Sequence, residues 1–188
     1  MKLLIIEGLD RVGKDTLISA VSKDYRHVVK RHWSYPVGET NKEKTLYQKN
    51  VFMREFYLQH LIRNTPEFSK DSLYVWNRAH LGEYVYGTLY RNSDPSSWIP
   101  DLERSYHFDS DTEVYLVFLY ADADFIAVQD DGKSYSKDAY DKQQEIMKFE
   151  DAFDNSLIKN KLKIKVNDGN NYISADAIHE QVNRFLSL

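Results

Sequence analysis

Hydrophobic positions along the chain fall into two kinds of pattern. Leu3–Ile6 and Val114–Tyr120 are apolar throughout, the mark of central strands covered on both faces. His27–His32, Ser72–Trp76 and Leu162–Val166 read as further strands. Between them the spacing turns helical. Residues 14–23 put Leu17, Ile18 and Val21 on one face, and 42–63 put Leu46, Met53, Phe56, Tyr57 and Leu61 on one stripe, with Pro66 beyond the end. Residues 80–90, 138–158 and 175–186 complete the helices. In the last of these Ile178, Val182 and Phe185 recur at i, i+4 and i+7, with Ser174 or Asp176 in capping position. Residues 93–97 read as a loop, and the polar stretch 121–136, with its Asp130-Asp131-Gly132-Lys133-Ser134, has the composition of a mobile one. This alternation predicts a single α/β domain over residues 1–188, a central five-stranded parallel sheet with helices on both faces. Ligands of such sheets sit beyond the carboxyl ends of the strands. The loops after residues 7, 34, 76, 120 and 166 are therefore where chemistry is expected.

Composition narrows the classes of function. At 188 residues and 42% apolar, the chain can bury one proper core. A net charge of −4 gives no footprint for a nucleic-acid backbone, so phosphate would have to be met by a few placed bases. The lack of cysteine excludes disulfides, thiolate zinc sites and cysteine nucleophiles. The six histidines show no metal-ligand spacing, and no Gly-x-Ser-x-Gly elbow supports acyl transfer. The start, with one basic residue and a four-residue apolar run, is too short for a secretory leader. No stretch approaches the ~20 apolar residues of a membrane span. The expectation is a soluble cytoplasmic protein with neither a membrane nor a nucleic-acid polymer as partner. Most of the 14 tyrosines, nine phenylalanines and three tryptophans are expected in the core, with a few left to stack on a base.

The loop after the first strand reads Gly8-Leu9-Asp10-Arg11-Val12-Gly13-Lys14-Asp15-Thr16 and opens a helix. That is the setting a phosphate-binding loop needs. Glycines let backbone N–H groups turn inward around phosphate oxygens, and the helix N-terminus adds positive partial charge. Residues Gly8 and Asp10 to Thr16 are the expected ATP contacts, with Lys14 reaching the β- and γ-phosphates. One position departs from the usual pattern: Asp15 stands where Ser or Thr ordinarily ligates magnesium. Thr16 is about 100° further round the helix and does not replace it. Asp15 is thus the candidate Mg²⁺ ligand, carboxylate oxygen being a good hard donor. A serine at 15 would restore the usual hydroxyl, so Asp15→Ser is expected to retain or increase activity and to shift its Mg²⁺ dependence.

The stretch Glu7-Gly8-Leu9-Asp10-Arg11-Val12-Gly13-Lys14-Asp15-Thr16 resembles the opening of thymidylate kinases, in which an Asp-Arg pair lies inside the phosphate loop. The segment Trp76-Asn77-Arg78-Ala79-His80-Leu81-Gly82-Glu83-Tyr84-Val85-Tyr86 is similar to the Asp-Arg-Tyr motif after the third strand, and closer still to its form in phage-encoded deoxynucleotide kinases. Tyr35-Pro36 stands where that family has Phe-Pro. The resemblance implies a three-layer P-loop NTPase fold with a lid at about 121–136. It also implies Mg²⁺-dependent transfer from ATP to a deoxynucleoside monophosphate, dTMP foremost, and a homodimer, the usual state of related kinases. It makes Arg11 the catalytic arginine, beside Lys14 and Asp10, with Asp10 facing the acceptor. Arg78 would hold the acceptor phosphate and Tyr86 would pack on the sugar. Tyr35, Pro36, Glu83 and an arginine of the long helix, Arg54 or else Arg63, join the acceptor contacts. The lid contains no arginine and one base, Lys133, with Gln129 where an arginine would stand, so the loop must supply the catalytic cation. Asn77 replaces the family's aspartate.

Other readings compete. A deoxynucleoside kinase would share the fold but need a base beside the 5′-hydroxyl, for which Glu7 and Glu83 are candidates. A nucleotide-binding protein without turnover is the alternative that Asp15 and Asn77 motivate. Phe52, Phe56 or Tyr57 would stack on a pyrimidine if not spent on the core. Glu145, Glu150, Asp151 and Asp154 read as a solvated helix face, and the pairs Asp109/Asp111 and Asp122/Asp124 as surface charge.

Overall fold

The computed structural model describes residues 1–33, 35–65, 72–132 and 134–187. Pro66 and Lys133 lie outside them. The described chain runs β1 (Lys2–Glu7), α1 (Lys14–Val21), β2 (His27–His32), α2 (Asn41–Arg63), β3 (Ser72–Asn77), α3 (His80–Arg91), α4 (Ile99–Ser105), β4 (Val114–Tyr120), α5 (Ala123–Val128), α6 (Ala139–Asn155), β5 (Asn160–Lys165), a short hairpin of β6 (Asn167–Asp168) and β7 (Asn171–Tyr172), and α7 (Ala175–Leu186). The main sheet has five strands in the order β2-β3-β1-β4-β5, all parallel. The expected α/β architecture is present, and the hydrophobic pattern explains the strand order. Leu3 to Ile6 are fully buried in the centre and β4 is buried beside them, whereas His27–His32 and Asn160–Lys165, richer in polar residues, lie at the edges. Helices α1 and α7 pack together, as do α3 with α2 and α6.

The strand order reverses at β1, so its carboxyl end is the topological switch point where ligands of such sheets bind. Gly8 makes the exit from β1. Its φ is +139°, and an added Cβ would stand 2.2 Å from the carbonyl oxygen of Leu119. The loop therefore lies directly against the end of β4, an approach that only a residue without a side chain permits. At the far side Gly13, at φ +83°, enters α1 with no side-chain cap. That leaves the first N–H groups of the helix free for an anion. Elsewhere the caps are made locally: Thr40 and Glu43 form a capping box on α2, and Ser174 caps α7.

Several expectations change. The stretch read as a mobile loop begins with a real helix, α5, because Phe125 and Ile126 are buried in the core. Helix α4 was not foreseen; Glu103 on it accepts from Ser156 Oγ at 2.7 Å and from the Leu157 N–H at 2.6 Å and lies 2.8 Å from His80 Nε2. The predicted stripe of α2 is largely turned outward. Phe56 is buried, but Leu46, Met53, Tyr57 and Leu61 are 42–56% exposed, and the inward face is Gln48, Phe52, Glu55, Phe56 and Gln59. Helix α6 ends at Asn155, and β5 starts two residues before its predicted beginning.

Gly8→Ala should lower folding stability by about 3 kcal/mol or more, from the backbone clash and the unfavourable φ together. Urea unfolding checks it, and a loss below about 1 kcal/mol would mean that the loop can leave β4 without penalty.

Candidate functional site

Two cavities open at the carboxyl ends of the strands. The larger, about 450 Å³, runs from the loop residues Asp10 to Leu17 to an apolar shelf made by Val166, Ile173, Ala175 and Ile178, with Tyr172 beside it. Backbone N–H groups and a helix N-terminus at one end, and flat apolar walls at the other, suit a phosphorylated ligand with a planar ring. The Tyr172 hydroxyl donates to the Arg11 carbonyl at 2.7 Å, so the β6–β7 hairpin is fastened to the loop.

Lys14 is 7% exposed, and its ammonium donates to the Gly8 carbonyl at 2.8 Å and to that of Leu9. Burial, then the nearby Arg78 charge, push its pKa down to about 8. Arg11 has φ +68° and its guanidinium is ion-paired with Asp131 beyond α5. Asp10 is ion-paired with Arg78, whose φ is +64° and whose N–H donates to the Ile6 carbonyl at 2.9 Å. Asn77, at the end of β3, donates from Nδ2 to Asp15 Oδ1 at 2.6 Å. Thr16 also lines this cavity, as does His32, whose pKa is lowered by burial and then by Arg78.

The second cavity encloses about 70 Å³ between α2, α3 and α6, with Leu9, Asp10 and Arg78 at its loop end. Tyr35, Pro36, Glu83 and Tyr86 line it, as does Phe52 alone of the three stacking candidates on α2. It is smaller than ligand pockets usually are. The segment after α5 lies across it: the Tyr135 ring stacks on Tyr90 and Tyr86, with centroids 5.2 and 5.7 Å away, and meets Tyr35 edge-on at 5.7 Å. Glu83 is buried and ion-paired with Arg91, and burial raises its pKa. Tyr86 is raised well above the usual phenol value, burial first and Glu145 next, and so stays neutral.

Not every expected residue reaches these cavities. Arg54 is 65% exposed and lies 3.3 Å from Glu55, away from both linings. Arg63 is buried at the other end of α2, 2.9 Å from Asp111 and over the Phe108 ring; Asp111 is thus more than free surface charge. Glu7 is fully buried and accepts from the N–H groups of Leu81 and Gly82 at 3.0 and 3.3 Å. It fastens the start of α3 to β1, and burial raises its pKa. Glu145 is not on a solvated face: it is 3% exposed, lines the second cavity and accepts from the Tyr90 hydroxyl at 2.6 Å. Sequence reading also missed Gln48, Lys142, Tyr135 and Tyr172. Tyr172 was findable, since it lies after the last strand of the main sheet; Gln48 and Lys142 carry no pattern, being polar residues on the inner faces of helices.

No family model matches the chain, and no curated protein matches it in sequence. Among solved structures it is similar to the YorR protein of Bacillus subtilis in complex with phosphorylated GDP, at 17% identity and a TM-score of 0.65, covering 100% of this chain and 96% of that one. It is also similar to the thymidylate kinase of Candida albicans, at 17% identity and a TM-score of 0.61, covering 99% and 91%. The likeness is one of fold, a five-stranded parallel sheet with helices on both faces. Among the described residues, no helix is long and apolar enough to cross a membrane.

The buried ammonium sets a pH dependence. Below pH 8 the folded chain holds Lys14 charged at a cost; between about 8 and the ordinary 10.5 the unfolded chain binds a proton that the folded one does not, so stability rises with pH across that window. The shift corresponds to at most about 3 kcal/mol. Urea unfolding of the wild type against Lys14→Met should show this rise in the wild type only, and parallel curves would contradict the burial of the charge.

Proposed function

We propose that this protein is a nucleotide kinase that moves the γ-phosphoryl group of ATP to a nucleoside monophosphate, with dTMP the leading acceptor. One observation carries the reading: the two cavities meet at the Asp10–Arg78 pair, which lines both. A donor in the larger cavity would lay its phosphates along residues 10–16 and its base on the shelf near Ile173. An acceptor in the second would bring its own phosphate to Arg78. Phosphoryl transfer asks chiefly for in-line placement and neutralised charge, and the junction supplies both.

The chain's residues then divide the work. Lys14 turns from the Gly8 and Leu9 carbonyls to the β- and γ-phosphates, whose charge restores its ordinary basicity. Arg11 exchanges Asp131 for phosphate oxygens and offers a planar fork to the transferring group. Arg78 exchanges Asp10 for the acceptor phosphate, and the freed Asp10 carboxylate faces the acceptor. Tyr135 leaves Tyr86 and Tyr90 as the acceptor enters, and Tyr86 and Phe52 bound its sugar and base. Asp15 and Asn77 present the hard oxygens for a magnesium ion, which would neutralise charge between the β- and γ-phosphates.

The competing acceptor, a nucleoside, needs a general base at its 5′-hydroxyl. Both carboxylates expected for that task are engaged, Glu7 on the start of α3 and Glu83 on Arg91, which favours the monophosphate. The outward apolar residues of α2 support a homodimer.

An ADP-release assay over all nucleosides and nucleoside monophosphates tests the reading; turnover with nucleosides only would overturn it. With dTMP, Arg11→Ala is expected to lower kcat at least ~10²-fold at little change in ATP affinity, and Arg11→Lys to recover little. Lys133→Ala should cost far less, and the reverse order would move the catalytic cation to the lid. Arg78→Ala should raise the acceptor KM at least ~10-fold and the ATP KM much less; equal losses would sink its role.

A further inference from the structure

The two residues that break the usual pattern are in contact. In P-loop enzymes magnesium is ordinarily held by the loop hydroxyl and an aspartate contributed from elsewhere in the sheet. Here the loop position carries the carboxylate, Asp15, and the strand end carries the amide, Asn77. Asn77 Nδ2 donates to Asp15 Oδ1 at 2.6 Å. A carboxylate only accepts, so the nitrogen of Asn77 must face it. The remaining Asn77 oxygen, on a residue 7% exposed, has no hydrogen-bond partner among the described residues, and both residues line the larger cavity. A buried amide oxygen left without a partner is costly, and a hard cation relieves it. Among the described residues no three acidic or imidazole groups cluster to hold a metal by themselves, which fits an ion completed by phosphate oxygens and water.

The two departures also depend on each other. An aspartate at 77 beside Asp15 would set two carboxylates at hydrogen-bond distance, where they cannot both ionise. A serine at 15 beside Asn77 would leave no anionic ligand. The pair as it stands carries one negative charge, the same as the ordinary serine–aspartate pair. We propose that Asp15 and Asn77 form a transposed magnesium half-site: the carboxylate comes from the start of α1, the neutral oxygen donor from the end of β3, and neither can be changed alone. This deepens the kinase reading and rests on it. It also reverses the expectation from sequence that Asp15→Ser keeps activity.

The test is Mn²⁺ binding to the full chain with ADP, read by electron paramagnetic resonance, with ADP affinity measured calorimetrically with and without metal. Asp15→Ser, Asp15→Asn and Asn77→Asp should each weaken Mn²⁺ in the ADP complex by ~10-fold or more, and Asp15→Ser/Asn77→Asp should return to within about threefold of the wild type. Asp15→Asn is isosteric and keeps a hydrogen-bond partner for Asn77, so its loss reads the charge rather than the fold. The proposal is overturned if Asp15→Ser or Asp15→Asn holds Mn²⁺ as tightly as the wild type, or if the double variant is as weak as Asp15→Ser. Failure to bind ADP at all would overturn the phosphate-loop reading as well, whereas ADP binding with Mn²⁺ affinity indifferent to these substitutions overturns this inference alone.

Discussion

A buried ammonium group with two backbone carbonyls as its partners governs this molecule. Lys14 is held on the oxygens of Gly8 and Leu9 inside the loop that follows the central strand. Neutral dipoles do not replace the hydration that a cation loses on burial. Around it the N-terminus of α1 has no side-chain cap, and Arg11 and Gly13 are left-handed. The loop is held in place because Gly8 lies against β4, the Tyr172 hydroxyl donates to the Arg11 carbonyl and the central strands β1 and β4 beneath are buried.

The two arginines beside the loop are each paired with a carboxylate. Arg11 pairs with Asp131 and Arg78 with Asp10. Their side chains are 30–43% exposed, so these pairs stabilise the fold little. By contrast Glu7, Glu83 and Glu103 are buried and bound to backbone or to fixed partners. Burial thus separates the carboxylates that place helices from those in partly exposed ion pairs. Tyr135 stacks on the rings of Tyr86 and Tyr90 over the second cavity.

What the sequence determined by itself was whatever depends on neighbours along the chain. Uninterrupted apolar runs marked β1 and β4 as central, since a strand that faces helices on both sides has no place for polar residues. The spacing of Gly8, Gly13 and Lys14 marked the turn from β1 into α1, because loop, strand end and helix start are contiguous. What lay beyond reach was set by contacts distant in sequence. The apolar stripe of α2 looked like a core face, yet the core is met by its aromatic and polar residues, with Gln48 and Glu55 turned inward. Composition could not tell that Phe125 and Ile126 would pull the start of the lid into a helix, or that Glu145 would face a cavity. Asp15 and Asn77, 62 residues apart, read as two separate weaknesses; the hydrogen bond between them makes them one arrangement. Local pattern records which face of an element is dry, and only the fold decides which distant side chain stands opposite.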